Sequence, residues 1–139
     1  MNWLSYALLS ALFAGLVAIF GKIGVRDVDS AVATAARSVI MALVLVTLVL
    51  TRNKTVNLQQ ISPRAWIFIT LAGMAGAASW LCYFRALQLG DASRVAPIDR
   101  LSVLVVITIA ALFLGEKLTT GIILGAALIL TGSILIARG

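Results

Sequence analysis

The chain predicts an all-α membrane protein with five transmembrane helices, and three observations carry that reading. Apolar residues fill 62% of its 139 positions, and the mean hydropathy is +1.11. Charged residues make up 12%, about half the share of an ordinary globular domain. The apolar residues also fall into five runs, each near the ~20 residues that cross about 30 Å of hydrocarbon at 1.5 Å per residue. A helix is the element expected for each run, because it satisfies its own backbone hydrogen bonds where no water can.

The first span is predicted at residues 3–21. Its leading residues, Met1-Asn2-Trp3, carry no basic side chain, and the first lysine, Lys22, comes after the apolar run. A signal peptide has a positively charged start, so this segment reads as a retained span. The second span is predicted at 31–50. The third, at 64–87, follows Ser62-Pro63, where serine can cap and proline is tolerated in a first turn. The fourth, at 92–114, follows Gly90-Asp91, a helix stop and a cap candidate. The fifth, at 120–137, has Thr119 or Thr120 to cap it. Connections at 22–30, 51–63, 88–91 and 115–119 are all too short to hold a folded extramembrane domain. Small residues recur at helical spacing, including Ala7, Ala11, Ala14, Ala18 and Gly21, then Gly73, Gly76 and Ala77, then Gly121, Gly125 and Gly132. Such stripes let helices approach closely, either within one chain or between copies.

The net charge of +6 is expected to face anionic lipid headgroups and fix orientation, with no nucleic acid as partner. Five spans put the N-terminus and the second and fourth connections on one face of the membrane. Arg52, Lys54, Arg64 and Lys117 then lie on that face, and Lys22, Arg26, Arg94 and Arg138 on the other, four against four. The positive-inside rule gives no preference. Insertion both ways round is one reading; the other is that one orientation wins through details a count misses.

Enzymatic chemistry is disfavoured. There is no histidine, and the lone cysteine, Cys82, stands in an apolar run, so neither a disulfide within the chain nor a metal cluster is expected. No cofactor is expected either.

Four charged residues fall inside spans: Arg37 in the second, Arg85 in the third, and Asp99 and Arg100 in the fourth. Each costs about 2.5–3.5 kcal/mol at the centre of a spanning helix, so an embedded charge marks a functional candidate. Arg37 lies roughly 9 Å into its helix, and all four fall in the same half of the bilayer. Three positive charges against one cannot neutralise themselves. One reading is an ion pair of Arg37 with Asp99, with Arg85 snorkelling to the interface. The other is that an arginine faces a water-filled cavity and binds an anionic solute, planar guanidinium being suited to two-pronged capture of a carboxylate. Arg100 is the first candidate for that role, with Arg37 and Arg85 beside it and Asp99 holding the helices. Pro97, about one and a half turns into the fourth span, either kinks it or marks where regular helix begins. Trp80, Tyr83 and Phe84 in the third span offer aromatic walls for such a cavity or anchors at the membrane interface. Gln88, Asp27 and Asp29 read as ordinary interfacial polar residues, and Gly115-Glu116-Lys117 as a solvated helix stop.

The runs YFRALQLGDASRVAPIDRLSV at 83–103, FLGEKLT at 113–119 and LGAALILTG at 124–132 closely resemble the EamA family of the drug/metabolite transporter superfamily. Gly21-Lys22-Ile23-Gly24 and Arg37 also fall where short members of that family have them. The resemblance covers nearly the whole chain, making residues 1–139 a single EamA-like transmembrane domain. Most EamA-type proteins carry two five-helix repeats of inverted topology. A chain with five spans is then one half of a ten-helix transporter, and the resemblance implies pairing as an antiparallel homodimer. The substrate does not carry over from the family; with the embedded arginines, the expected function is transport of a small polar or anionic metabolite by alternating access, in a bacterial or archaeal inner membrane. A flippase subunit for a lipid-linked head group and a non-transporting scaffold are the alternatives. The neighbouring small multidrug exchangers use a glutamate in their first helix. The first span here has no acid, so proton coupling of that kind is not expected.

Overall fold

The computed structural model describes residues 2–51 and 61–139. Arg52 and Lys54, which enter the charge count, lie outside the described residues. All regular structure among the described residues is α-helical: α1 (Trp3–Gly24), α2 (Ser30–Thr51), α3 (Pro63–Leu89), α4 (Ala92–Asp99), α5 (Ser102–Phe113) and α6 (Thr120–Arg138). Together α4 and α5 form one span, and five membrane-crossing segments result. The 22-residue α1 and α2 each measure about 33 Å, enough to cross the hydrocarbon.

The helix starts are built from local polar chemistry. Asn2 Oδ1 accepts from the N–H of Ser5 at 3.1 Å. Asp29 Oδ1 accepts from the N–H groups of Ala31 and Val32 at 2.8 and 3.2 Å, which satisfies two of the free donors of α2. Ser62 Oγ accepts from Ala65 N–H at 3.2 Å, with Pro63 in the first turn of α3. Thr119 caps α6 by accepting from Ile122 N–H at 3.4 Å. Asp91 occupies the N-cap position of α4, yet its side chain makes no capping bond. Its backbone carbonyl accepts from Arg94 and Val95 instead. At the far end of α5, Gly115 turns the chain with φ of +68°.

The fold divides into two compact units. The first comprises residues 1–22 and 89–139, and the second residues 23–88. In the first unit α4 packs on α6, and Lys22 Nζ at the end of α1 donates to the carbonyl of Gly90 at 2.8 Å. In the second, Val25, Phe84 and Leu87 are buried. Most other large apolar side chains of the spans are exposed, Leu8, Phe13, Val39 and Leu43 among them. Exposed apolar surface on this scale belongs against hydrocarbon.

The fourth span departs from a single continuous helix. It begins at Ala92, so Pro97 lies within α4, and the regular pattern stops at Arg100 and Leu101 before resuming at Ser102.

Candidate functional site

The break in the fourth span follows from the hydrogen bonds around Pro97. Proline has no N–H to give to the preceding turn. Beyond it the ladder tightens: Leu101 N–H bonds Ile98 O at 3.0 Å, Val103 bonds Arg100 O at 3.0 Å, and Leu104 bonds Leu101 O at 2.9 Å, each three residues back. This is 3₁₀ geometry, common at hinges within helices. Because Leu101 turns to Ile98, the carbonyl of Pro97 needs another donor. Ser133, from α6, supplies it: its hydroxyl donates to Pro97 O at 2.9 Å, and the serine is 4% exposed. Neighbouring Ser and Thr side chains are what make an interrupted helix tolerable in lipid.

Beside this contact lies an open groove of about 610 Å³ in the first unit. Ala11 and Gly15 of α1, Pro97 and Arg100 at the break, and Gly132 and Ser133 of α6 are among its lining residues. A methyl group built on Gly15 or Gly132 would meet nothing within 4 Å, so the small residues here leave open space. The wall is apolar apart from Arg100 and Ser133, a composition suited to a small ligand fixed by a few polar groups. Asp99 and Arg100 are both exposed, and Arg100 N–H still bonds Ala96 O at 3.2 Å.

In the second unit α2 and α3 bring Arg37, Trp80, Tyr83 and Phe84 together. The guanidinium carbon of Arg37 lies 3.5 Å from the centroid of the Trp80 ring. Trp80 meets Tyr83 and Phe84 edge-on, each with centroids 5.5 Å apart and interplanar angles of 87° and 79°. The three aromatics stand at positions i, i+3 and i+4 of α3, on one face. Arg37 Nη1 is buried with no hydrogen-bond partner.

Arg85 is not part of that cluster. It is exposed, and its Nη1 donates to Gln88 Oε1 at 3.1 Å. Gln88 in turn donates through Nε2 to the carbonyls of Val25 and Val28, at 3.0 and 2.6 Å. The expectation of an ordinary interfacial glutamine is corrected: Gln88 joins the segment before α2 to the end of α3. Arg37 and Asp99 belong to different units; within its own unit Arg37 has taken the face of Trp80.

Ser133 is a residue the sequence does not single out, and Gln88 is one whose reach the sequence understates. A serine directly after Gly132 in an otherwise apolar helix was the available signal for the first, since hydroxyls in spans serve helix contacts. For Gln88 the signal was an amide one turn after Arg85.

Comparison with known proteins bears on the whole chain. The model described as the EamA-like transporter family matches residues 1–138. A Sinorhizobium sp. protein described as an uncharacterized transporter in the cobO 3′ region is 46% identical over 136 residues, covering 98% of this chain and 96% of that one. No solved structure matches the chain.

Proposed function

The chain belongs to the EamA-like transporter family, and from that membership we propose that it moves a small polar or anionic metabolite by alternating access in a dimer of half-transporters. It is a multi-pass membrane transporter. The observation that carries the reading is the groove of about 610 Å³ beside the broken fourth span, with Arg100 at its wall.

Arg100 supplies a permanent positive charge and a planar fork that matches a carboxylate or phosphate. Its neighbours Pro97 and Ser133 supply a contact that can be broken and remade. The stretch 98–104, held by bonds between residues three apart, can rewind at small cost. Discontinuous helices of this kind are used by transporters around their binding sites. A movement of α4 on α6 would part Ser133 from Pro97 and change access to the groove.

One set of five spans supplies half of a two-repeat pathway. A second copy inserted the other way round supplies the rest, and the four-against-four distribution of basic residues is compatible with both orientations. The membrane is proposed to be the cell membrane of a bacterium or archaeon. The chemistry is translocation without bond making, in keeping with a sequence that has no histidine.

Proteoliposomes containing the purified protein, loaded with individual carboxylates and sugar phosphates, test the reading. Saturable counterflow of at least one such solute is expected, reduced at least about tenfold in Arg100→Gln, the effect of losing a hydrogen bond to a charged group. Copy number by native mass spectrometry is expected to be unchanged. Absence of counterflow across the panel, or equal rates in the Arg100→Gln protein, overturns it.

A further inference from the structure

Arg37 presents an unusual account of its hydrogen bonds. A guanidinium carries five N–H donors and keeps its charge. Among the described residues none of the five meets an acceptor, and Nη1 is buried without a partner. The guanidinium carbon rests over the face of Trp80, at 3.5 Å from the ring centroid. At that distance the guanidinium must lie flat on the indole, since an edge-on approach would drive a nitrogen into the ring. Its face is used, and Nη1 on its edge is left without a partner.

The polar side chains near the start of α2 make their hydrogen bonds to partners other than Arg37. Thr34 Oγ1 donates to Ser30 O at 2.7 Å, and Ser38 Oγ to Thr34 O at 2.8 Å, so both hydroxyls beside Arg37 on α2 are bonded back to their own helix. The carboxylate of Asp29 receives the N–H groups at the start of α2. The Gln88 amide oxygen is taken by Arg85. Arg37 is the seventh residue past Ser30, about 10 Å along the helix. Leaving a charged donor unpaired at that depth is costly. Stacking on tryptophan recovers about 0.5–2 kcal/mol but satisfies no N–H group.

We propose that the edge of Arg37, its guanidinium carried on the face of Trp80, is a binding site for an oxyanion, a carboxylate or phosphate group that accepts two parallel N–H bonds from the fork. Trp80 fixes the guanidinium plane before the anion arrives, which lowers the ordering cost of binding. The site lies wholly in the second unit and is distinct in residues from the groove of Arg100. It deepens the transport reading and rests on that reading only for the fate of the bound group. The oxyanion belongs either to a soluble metabolite or to a lipid head group.

Trp80 is a built-in reporter for the test. In a Trp3→Phe, Trp66→Phe background the emission of Trp80 is followed in maltoside micelles free of phospholipid, titrated with sodium acetate, sodium phosphate or, separately, phosphatidylglycerol, against sodium chloride at matched ionic strength. A saturable change with acetate or phosphate supports the site and identifies a soluble oxyanion. A change with phosphatidylglycerol alone supports the site and assigns it to lipid. The response is expected to persist in Arg100→Gln and to weaken at least about tenfold in Arg37→Lys, which keeps a charge and loses the planar fork. No saturable change with any oxyanion in the Arg37 protein overturns the proposal, as does an unaltered response in Arg37→Lys. This measurement needs no transport. Binding at Arg37 with no counterflow would retain the site and remove the carrier reading; counterflow without binding would do the reverse.

Discussion

The hydroxyl of Ser133 donates to the carbonyl of Pro97 across 2.9 Å, joining the fifth span to the break in the fourth through a serine that is almost fully buried. The bond takes the place of the Leu101 N–H, which has turned to Ile98. It also fixes α4 on α6 at the residue where α4 is least regular.

Ser133→Ala removes that donor and leaves the Pro97 carbonyl unpaired. The expected loss of stability is about 0.6 kcal/mol and at most about 1.7, the range for side-chain bonds between spanning helices. Chemical unfolding in micelles, compared with Ser133→Cys, measures it. The cysteine variant, which keeps a weaker donor of similar size, is expected to lie between the alanine variant and the native protein.

Gln88→Leu deletes three hydrogen bonds, two to the carbonyls of Val25 and Val28 and one from Arg85. A destabilisation of about 2 kcal/mol is expected, since each bond contributes roughly 0.5–1.5 kcal/mol and the effects overlap. Gln88→Glu is expected to be worse. It keeps an acceptor for Arg85 but turns a carboxylate oxygen toward two carbonyl oxygens. Amide exchange of residues 25–28, followed by mass spectrometry, should quicken in both variants, and more in the glutamate.

The spans were legible because hydropathy over about 20 residues is a property of composition alone. Embedded charges were legible for the same reason, as exceptions within it. What each charge touches was not, because a partner depends on where a different helix places its side chains. Trp80 was read as a cavity wall or a belt anchor; its face carries Arg37. The sequence raises Pro97 as a kink candidate, yet nothing local shows that Ser133, in another helix, receives the freed carbonyl. Gln88 has no periodic signal at all, since its partners lie on an irregular segment.

Gly115→Ala places a side chain at φ of +68°, in the left-handed region. It is expected to cost about 1–2 kcal/mol. Gly125→Ala is the control: a methyl there meets nothing within 4 Å, and alanine is the better helix former by up to about 1 kcal/mol. Thermal unfolding of the two variants side by side should give shifts of opposite sign, or a shift only for Gly115→Ala.

Orientation is open to direct measurement. With four basic residues assigned to each face, C-terminal fusions to a reporter active only in the cytoplasm and to one active only outside it are both expected to signal. Adding two lysines after Gly139 should then bias the population toward a cytoplasmic C-terminus. A one-sided signal from the native sequence would rule out dual insertion.

The double grip of Gln88 on Val25 and Val28 also has a kinematic consequence. The carbonyls of Val25 and Val28 are hooked to the last turn of α3. Any swing of α2 about α3 must therefore pivot at the one position left between that hook and the helix, Asp29. The pivot sits where Asp29 already grips the first turn of α2, so the second unit has a short, stiff joint there in place of a loose loop.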